Sequence, residues 1–215
     1  MLNLLFFETT ALLGQAWSFY KTRHKIQSML TNLPKFYKIA EVERATPVVK
    51  IFRFKAEAIA ETAKPGQFLM VCVPGMDEIP ISIASVTDSG FVEIAVAKVG
   101  DCTSALHEKK VNDVIGLRGP FGRGFEIRGK ELCLVAGGYG AAPLRFLAER
   151  AIDKGKKVTV FLGAKSKDHL LYVGEFEKLG CDIKIATEDG SAGYKGYVTD
   201  LFEGALKAKQ FDQIM

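Results

Sequence analysis

A glycine-rich turn at residues 137–143, with the sequence G-G-Y-G-A-A-P, stands between an apolar run and a helical pattern. Glycines at such a turn let the backbone approach a pyrophosphate, and the free N–H groups at the helix start attract its negative charge. Pro143 suits the first turn of a helix, although it replaces the third glycine of the G-x-G-x-x-G pattern. The turn predicts a dinucleotide-binding site, with a bare tight turn as the alternative interpretation.

Two other segments contain hydroxyl groups in positions that suit a ligand. Ser82 lies in the apolar run P-I-S-I-A-S-V at 80–86, where its hydroxyl can donate a hydrogen bond to a ring nitrogen. Residues 99–104, V-G-D-C-T-S, follow a predicted strand, and their N–H groups and hydroxyls suit a phosphate. Each segment alone has an ordinary explanation, because buried serines usually bond to the backbone and such loops are common turns.

The polar loop T-E-D-G-S at 187–191 follows a predicted parallel strand, on the side where such sheets bind ligands. Glu188 and Asp189 are adjacent, so their side chains diverge and do not predict an acid–base pair. Lys165 and Lys167 follow the preceding strand, where a 2′-phosphate would bind, so NAD and NADP both remain open. Three histidines far apart in polar surroundings are interpreted as solvated surface residues: His24, His107 and His169.

The elements that must position these residues change character near residue 128. Before it, short strands are predicted at 50–56, 67–73, 80–86, 91–99 and 113–122, separated by turns such as D-S-G at 88–90. The run 67–73 is apolar on both faces, which predicts a fully buried strand. The pattern as a whole predicts a small antiparallel β-barrel.

After residue 128, strands and helices alternate. Strands are predicted at 131–138, 157–164, 182–188 and 211–215, and helices at 143–153, 172–179 and 198–207. Such alternation predicts an α/β, doubly wound parallel sheet with right-handed crossovers. The predicted domains are an N-terminal extension at 1–33, a barrel at 34–128 and an α/β domain at 129–215.

Composition excludes several classes of function. The 215 residues are 48% hydrophobic and 25% charged, with a net charge of +4 and no dense Lys/Arg block, so nucleic-acid binding is not predicted. The four cysteines include no C-x-x-C pair, which argues against a metal site and favours a reducing, cytoplasmic location. Cysteines inside apolar runs are interpreted as buried thiols: Cys72 and Cys133.

Residues 1–20 are apolar, but Asn3, Glu8 and Gln15 interrupt the run, which is short of a bilayer span. The basic cluster follows the apolar run instead of preceding it, which is the wrong order for a secretory signal. The favoured interpretation is a non-native or loosely attached leader, with translation starting at Met29. An amphipathic helix in contact with a membrane or a partner is the less favoured alternative.

The order and spacing of five motifs resemble the ferredoxin–NADP reductase superfamily. These are P-I-S-I, K-V-G-x-x-T, R-G-P-F-G-x-G-F, A-G-G-x-G-x-A-P-L and E-D-G-S-x-G-x-x-G-x-V-T, between about residue 35 and the C-terminus. Within it, the chain looks most like the electron-transfer subunits of dihydroorotate dehydrogenase, which serve pyrimidine biosynthesis, and the gamma subunits of sulfhydrogenases. The resemblance implies an FAD-binding barrel and a nicotinamide-nucleotide domain, which pass electrons between NAD(P)H and a redox partner subunit.

The resemblance also implies roles for individual residues. Ser82 faces the flavin N5 edge and is the expected catalytic residue. The expected flavin-site residues are Ile79, Pro80, Ile81, Ser82, Ala95, Val96, Ala97, Gly100, Cys102 and Thr103. The expected nicotinamide-nucleotide residues are Gly137, Gly138, Gly140, Ala141, Pro143, Glu188, Asp189 and Gly190.

The sequence departs from the family pattern at two places. Many relatives have an arginine that pairs with a flavin phosphate where this chain has Ile79, which weakens that grip or shifts it to residues 100–104. Relatives also continue into a Cys-Gly-Pro segment, and the dihydroorotate-type subunits add cysteines that hold a 2Fe-2S cluster. The chain as given predicts a truncated product without that cluster, with weaker nicotinamide binding and an incomplete sheet edge at 211–215. A non-catalytic flavin-binding or interaction module is the alternative function.

Overall fold

The computed structural model describes residues 33–208 and 210–215, so the predicted extension lies outside the described residues except for Leu33. Six antiparallel strands form a closed barrel in the order β1-β2-β5-β4-β3-β6. Their bounds are β1 Lys35–Arg44, β2 Val49–Lys55, β3 Phe68–Cys72, β4 Glu78–Val86, β5 Phe91–Ala97 and β6 Val114–Phe121. The barrel also contains helices α1 (Glu57–Ala60) and α2 (Asp101–His107).

Alternation along these strands fills the barrel with apolar side chains. On β2, Phe52 and Phe54 are fully buried, whereas Arg53 between them points to the outer face. On β3, Leu69 and Val71 are buried but Cys72 is only half-buried. The interpretation of 67–73 as buried on both faces, and of Cys72 as a buried thiol, is therefore wrong, because a barrel strand turns only one face to the core.

The second half forms a five-stranded sheet in the order β10-β9-β8-β7-β11. All four strand pairings are parallel, as predicted. The strands are β7 Glu131–Gly137, β8 Lys157–Ala164, β9 Asp182–Thr187, β10 Tyr194–Lys195 and β11 Gln213–Ile214. The helices are α3 Ala141–Asp153, α4 Val173–Lys178 and α5 Val198–Ala208.

The C-terminal strand β11 is an edge strand with two residues paired to β7. The carboxylate of Asp212 holds it in place by accepting backbone N–H groups of Lys130 at 2.6 Å and Glu131 at 2.9 Å. These bonds keep the pKa of Asp212 below its ordinary value. The short pairing agrees with the predicted strand at 211–215.

Helix α3 joins the two halves of the molecule within the compact unit Phe36–Met215. Its Leu144 and Leu147 pack in the core of the α/β sheet, whereas Phe146 packs in the core of the barrel. The barrel residues Val49, Ile51 and Ala84 in turn belong to the core of the sheet. The barrel and the sheet therefore share side chains across their seam. Among the described residues, no helix is long and apolar enough to cross a membrane.

Candidate functional site

A cleft of about 500 Å³ opens at the carboxyl ends of the parallel strands β7, β8 and β9. Parallel sheets bind ligands at this edge, because the loops that follow the strands converge there. The lining comes from four loops and from the barrel. Its residues are Thr46, Val48, Val49, Gly137, Gly138, Tyr139, Gly163, Ala164, Lys165, His169, Glu188, Gly196, Tyr197, Val198 and Thr199.

The glycine-rich turn forms one wall of this cleft. After Gly137, a single 3₁₀ turn at Gly138–Gly140 leads into α3. A Cβ added to Gly137, Gly138 or Gly140 would meet no atom within 4 Å, and Gly137 and Gly138 line the cleft whereas Gly140 does not. Gly138 also adopts a φ of +52°, which glycine tolerates best. The open backbone and the start of α3 fit the pyrophosphate of a dinucleotide.

Helix α3 begins at Ala141 instead of the predicted Pro143. Ala141 and Ala142 are buried against the sheet, so they supply packing and do not line the cleft. Pro143 is tolerated because the first turn of a helix has no intrahelical N–H bond to lose. The boundary was misplaced because proline was taken as the first helical residue.

The opposite wall belongs to the barrel and was missed by the sequence analysis. Thr46 is only 5% exposed, and its Oγ1 accepts the N–H of Val49 at 3.0 Å, which shapes the turn before β2. Val48 and Val49 present apolar side chains to the cleft from this turn. The sequence T-P-V-V at 46–49 could have predicted this turn, because a threonine and a proline stand directly before a strand. It could not have predicted which part of the chain lies next to the turn in space.

In the loop after β9, the side chains of the adjacent residues Glu188 and Asp189 have different surroundings, as the sequence analysis expects. Glu188 lines the cleft, whereas Oδ1 of Asp189 accepts the Oγ–H of Ser191 at 2.6 Å and its N–H at 2.9 Å. The hydroxyl bond and then the N–H bond lower the pKa of Asp189. Asp189 therefore shapes the loop, together with Gly190 at a φ of +78°.

The two candidate lysines also differ in position. Lys165 lines the cleft. Lys167 does not: it lies in a 3₁₀ turn, and its backbone N–H donates to Oγ of Ser191 at 2.7 Å. His169 lies half-buried in the cleft wall, with Nδ1 at 2.8 Å from Oγ of Ser166. The interpretation of His169 as a solvated surface residue therefore holds only in part, because the residue is half-buried.

The candidate flavin residues of β4 do not line this cleft. Ser82 pairs with Phe68 of β3 and Pro80 pairs with Met70, and Ser82 is half-buried. Ile79 and Ile81 pack partly against the barrel core. The arginine of many relatives is absent at 79, and the nearby guanidinium of Arg118 forms an ion pair with Glu78. The flavin roles of 79–82 stay predictions.

The expected flavin-site residues of β5 lie on two different faces of the strand. Val96 is fully buried in the barrel core, and its carbonyl accepts a hydrogen bond from the His107 ring at 2.8 Å, so its contact with a flavin stays a prediction. Ala95 and Ala97 point the other way and pack partly against the core shared with the sheet.

The predicted phosphate loop at 99–104 is largely a helix, α2. Oγ1 of the buried Thr103 accepts the N–H groups of Val99 at 3.0 Å and Gly100 at 2.9 Å, so it caps α2. The Cys102 thiol donates to the carbonyl of Asp77 at 3.3 Å, and burial raises its pKa. These bonds engage the Thr103 hydroxyl, and the expected role of Gly100, Cys102 and Thr103 at the FAD phosphates stays a prediction.

His107, at the end of α2, is buried, so its interpretation as a surface residue is wrong. Within the described residues there is no cluster of three or more His, Cys, Asp or Glu that would hold a metal ion. The four cysteines are free thiols.

Family comparisons agree with this division. A model of the oxidoreductase FAD-binding domain matches residues 37–125, and a model of the oxidoreductase NAD-binding domain matches residues 134–215.

Relatives of this chain include electron-transfer subunits. The chain is 39% identical over 182 residues to a probable dihydroorotate dehydrogenase B (NAD(+)), electron transfer subunit, of Methanocaldococcus jannaschii, covering 85% of this chain and 67% of that one. It is 38% identical over 195 residues to the sulfhydrogenase 2 subunit gamma of Pyrococcus furiosus, covering 78% and 68%. The chain spans 65% and 62% of the related subunits of Methanocella arvoryzae and Methanothermobacter thermautotrophicus.

Solved structures show the same fold. The structure of an NADH-dependent reduced ferredoxin-NADP oxidoreductase, studied for flavin-based electron bifurcation, matches with a TM-score of 0.76 and 31% identity, covering 83% of this chain and 66% of that one. Ferredoxin-NADP+ reductase from Plasmodium falciparum matches with a TM-score of 0.69 at 17% identity, covering 81% and 79%, which supports the fold alone. This chain therefore belongs to the ferredoxin-reductase-type family of FAD- and NAD-binding oxidoreductases, whose members include dihydroorotate dehydrogenase B electron-transfer subunits and a sulfhydrogenase gamma subunit.

Proposed function

We propose that the chain binds FAD on the barrel and a nicotinamide nucleotide in the cleft, and passes electrons from NAD(P)H to a redox partner subunit. The observation that carries this proposal is the cleft itself, which Gly137 and Gly138 line together with the barrel turn at Thr46–Val49. A nucleotide held by those glycines lies against the barrel that the family uses for flavin. A dihydroorotate dehydrogenase-like or hydrogenase-like subunit is the proposed partner, by analogy with the relatives.

A bound flavin would supply the redox chemistry, which is to accept a hydride and release single electrons. The chain's own residues bind and orient. Backbone N–H groups at the start of α3 attract the pyrophosphate, and the apolar Val48 and Val49 exclude water from one wall of the cleft. Pro80, Ile81 and Ser82 remain the proposed contacts to the flavin ring.

The cleft contains one group suited to each nicotinamide nucleotide. The carboxylate of Glu188 can accept hydrogen bonds from free ribose hydroxyls, whereas the ammonium of Lys165 suits a 2′-phosphate. Parallel titrations with NADH and NADPH therefore decide which nucleotide is used.

The first experiment measures flavin binding. Purified protein should be yellow, and FAD at 100 times its dissociation constant should stabilise the fold by about 2.7 kcal/mol in thermal unfolding. Anaerobic NADH or NADPH should then bleach the visible flavin band. A colourless protein that gains no stability from FAD would support the alternative, a non-catalytic interaction module.

A variant separates the nucleotide site from the flavin site. Gly137→Leu places a side chain in the open cleft, so FAD binding should persist while bleaching by the nucleotide is lost. Gly174→Leu is the matched control, because Gly174 in α4 also has open space around it but lies outside the cleft. Equal bleaching in both variants would contradict the assignment of the glycine turn.

A further inference from the structure

A row of polar side chains crosses the outer face of the barrel. Glu41 on β1, Arg53 on β2 and Glu93 on β5 are direct cross-strand partners, and Ser85 on β4 pairs with Glu93. Nη1 of Arg53 lies 2.7 Å from Oε1 of Glu41, and its Nε lies 2.6 Å from Oε2 of Glu93. The row therefore links four neighbouring strands through ion pairs and register.

Helix α3 lies over the inner end of this row. Nη1 of Arg145 lies 2.8 Å from Oε1 of Glu93, and Oε2 of Glu149, one turn later, accepts the hydroxyl of Ser85 at 2.9 Å. The hydroxyl of Tyr172, from the segment before α4, also donates to Oε1 of Glu93 at 2.8 Å. One carboxylate thus joins the barrel to two separate segments of the α/β domain.

The joining carboxylate is buried. The side chain of Glu93 is 6% exposed and that of Arg145 is 18% exposed, and the Arg145 guanidinium also lies 5.1 Å from the centre of the Tyr172 ring. A buried charge is tolerated only where partners and hydrogen bonds replace water. Burial, followed by the Glu93 charge, raises the pKa of Tyr172, so the phenol stays protonated and acts as a donor.

Besides the Glu93 contacts and the Ser85–Glu149 hydrogen bond, the seam contains an apolar core, which does not impose a direction. Val49 and Ile51 of the barrel pack in one core with Ala148 of α3. Hydrophobic burial depends on area and tolerates sliding, whereas charge-assisted hydrogen bonds require short distances and aligned donors. The Glu93 contacts, together with the Ser85–Glu149 hydrogen bond, are therefore the directional part of the seam.

We propose that Glu93 is a positioning residue that sets the distance between the two walls of the nucleotide cleft. Through Arg53 it contacts β2, which continues from the wall at Thr46–Val49, and through Arg145 it contacts α3, which continues from the wall at 137–140. The inference rests on the proposed function, because it assigns Glu93 to the alignment of the nucleotide with the barrel. Such alignment matters because small misplacements of reacting groups slow a reaction strongly.

The test replaces Glu93 by Gln, which keeps the size and removes the charge. FAD affinity should be that of the parent, whereas NADH affinity, measured by calorimetry, and the rate of flavin bleaching should fall, the rate by roughly 10- to 100-fold. Amide hydrogen exchange should become faster at residues 137–144 and stay unchanged in β3. Parental nucleotide affinity in a folded Glu93→Gln protein would overturn the inference, and so would an equal loss of FAD and NADH affinity.

Two further variants make the test specific. Glu41→Gln removes a carboxylate from the same Arg53 but lies away from α3, so its nucleotide affinity and bleaching rate should match the parent. If Glu93→Gln does not fold, Glu93→Gln with Arg145→Gln removes the unpaired guanidinium, and weak NADH binding with normal FAD binding is expected there too. A parent protein that binds no nicotinamide nucleotide would instead contradict the proposed function. In that case unchanged exchange at 137–144 would still overturn the positioning role.

Discussion

At the scale of single residues, His107 shows how burial decides the chemistry of a side chain. Its Nε2 donates to the carbonyl of Val96 at 2.8 Å inside the barrel, and its own carbonyl accepts Nζ of Lys50 at 2.6 Å. Burial lowers the pKa of His107, the Val96 bond opposes this effect, and the nearby Lys50 and Lys98 charges add to it. The ring is therefore a neutral structural group that fastens α2 to β5.

This burial predicts a pH dependence of stability. Because the folded state lowers the pKa of His107, the unfolded chain binds the proton more tightly, and the stabilisation is present above the unfolded value of about 6.5. It should be lost as the pH falls from that value toward the lower folded value. Thermal unfolding between pH 8 and pH 5 measures the loss. His107→Gln should show a smaller decline over the same range, and an equal decline would contradict the assignment.

At the scale of secondary-structure elements, α5 packs unusually close to β8. The rings of Phe161 and Phe202 meet edge to face at 5.4 Å. A Cβ added to Gly163 would lie 2.6 Å from Cβ of Val198, which is closer than real Cβ contacts. Gly163 therefore permits the approach that brings Val198 into the lining of the cleft.

Gly163→Ala should accordingly destabilise the fold by about 1–3 kcal/mol, since overpacking forces the helix away from the strand. It should also weaken nucleotide binding, because α5 would shift at the cleft. Gly204→Ala within α5 is the control: its Cβ meets no atom within 4 Å, and the helix should gain about 1 kcal/mol. Denaturant unfolding of the two variants measures both effects, and a neutral Gly163→Ala would refute the close-packing argument.

At the scale of the whole molecule, helix α3 couples the stability of the barrel to the stability of the sheet. Phe146 of α3 is fully buried in the barrel core, and Phe176 of α4 is fully buried in the core around the sheet. Because the same helix contributes to both cores, we expect the described unit to unfold in one cooperative transition.

The two phenylalanines test this coupling. Each Phe→Ala change should cost about 3–5 kcal/mol, because it leaves a cavity in a packed core. Phe146→Ala should raise amide exchange in both β4 and β7, whereas Phe176→Ala should raise it mainly in the sheet. If Phe146→Ala affected only α3 and the sheet, the barrel would not depend on the seam.

Local patterns were sufficient to predict much of the fold. The period-two alternation around Phe52 and Phe54 predicted barrel strands, and the later alternation of strands and helices predicted a parallel sheet, as the structure confirms. Helix α2 was missed because its seven residues are too few to show a helical period. The burial of His107 was also not predicted, because its polar neighbours in sequence carry no information about the strand on which it packs.

What the sequence by itself determined is therefore most of the strands and helices, the glycine turn between β7 and α3, and the family. The periods of strands and helices, the turns and the backbone flexibility depend on residues that are neighbours in sequence, so they can be predicted from the sequence. Only the tertiary structure decided that the Thr46–Val49 turn lines the same cleft as Gly137 and Gly138, and that Glu93 contacts both Arg145 and Tyr172. These contacts join residues 52 and 79 positions apart, and the packing that brings them together has no local signature.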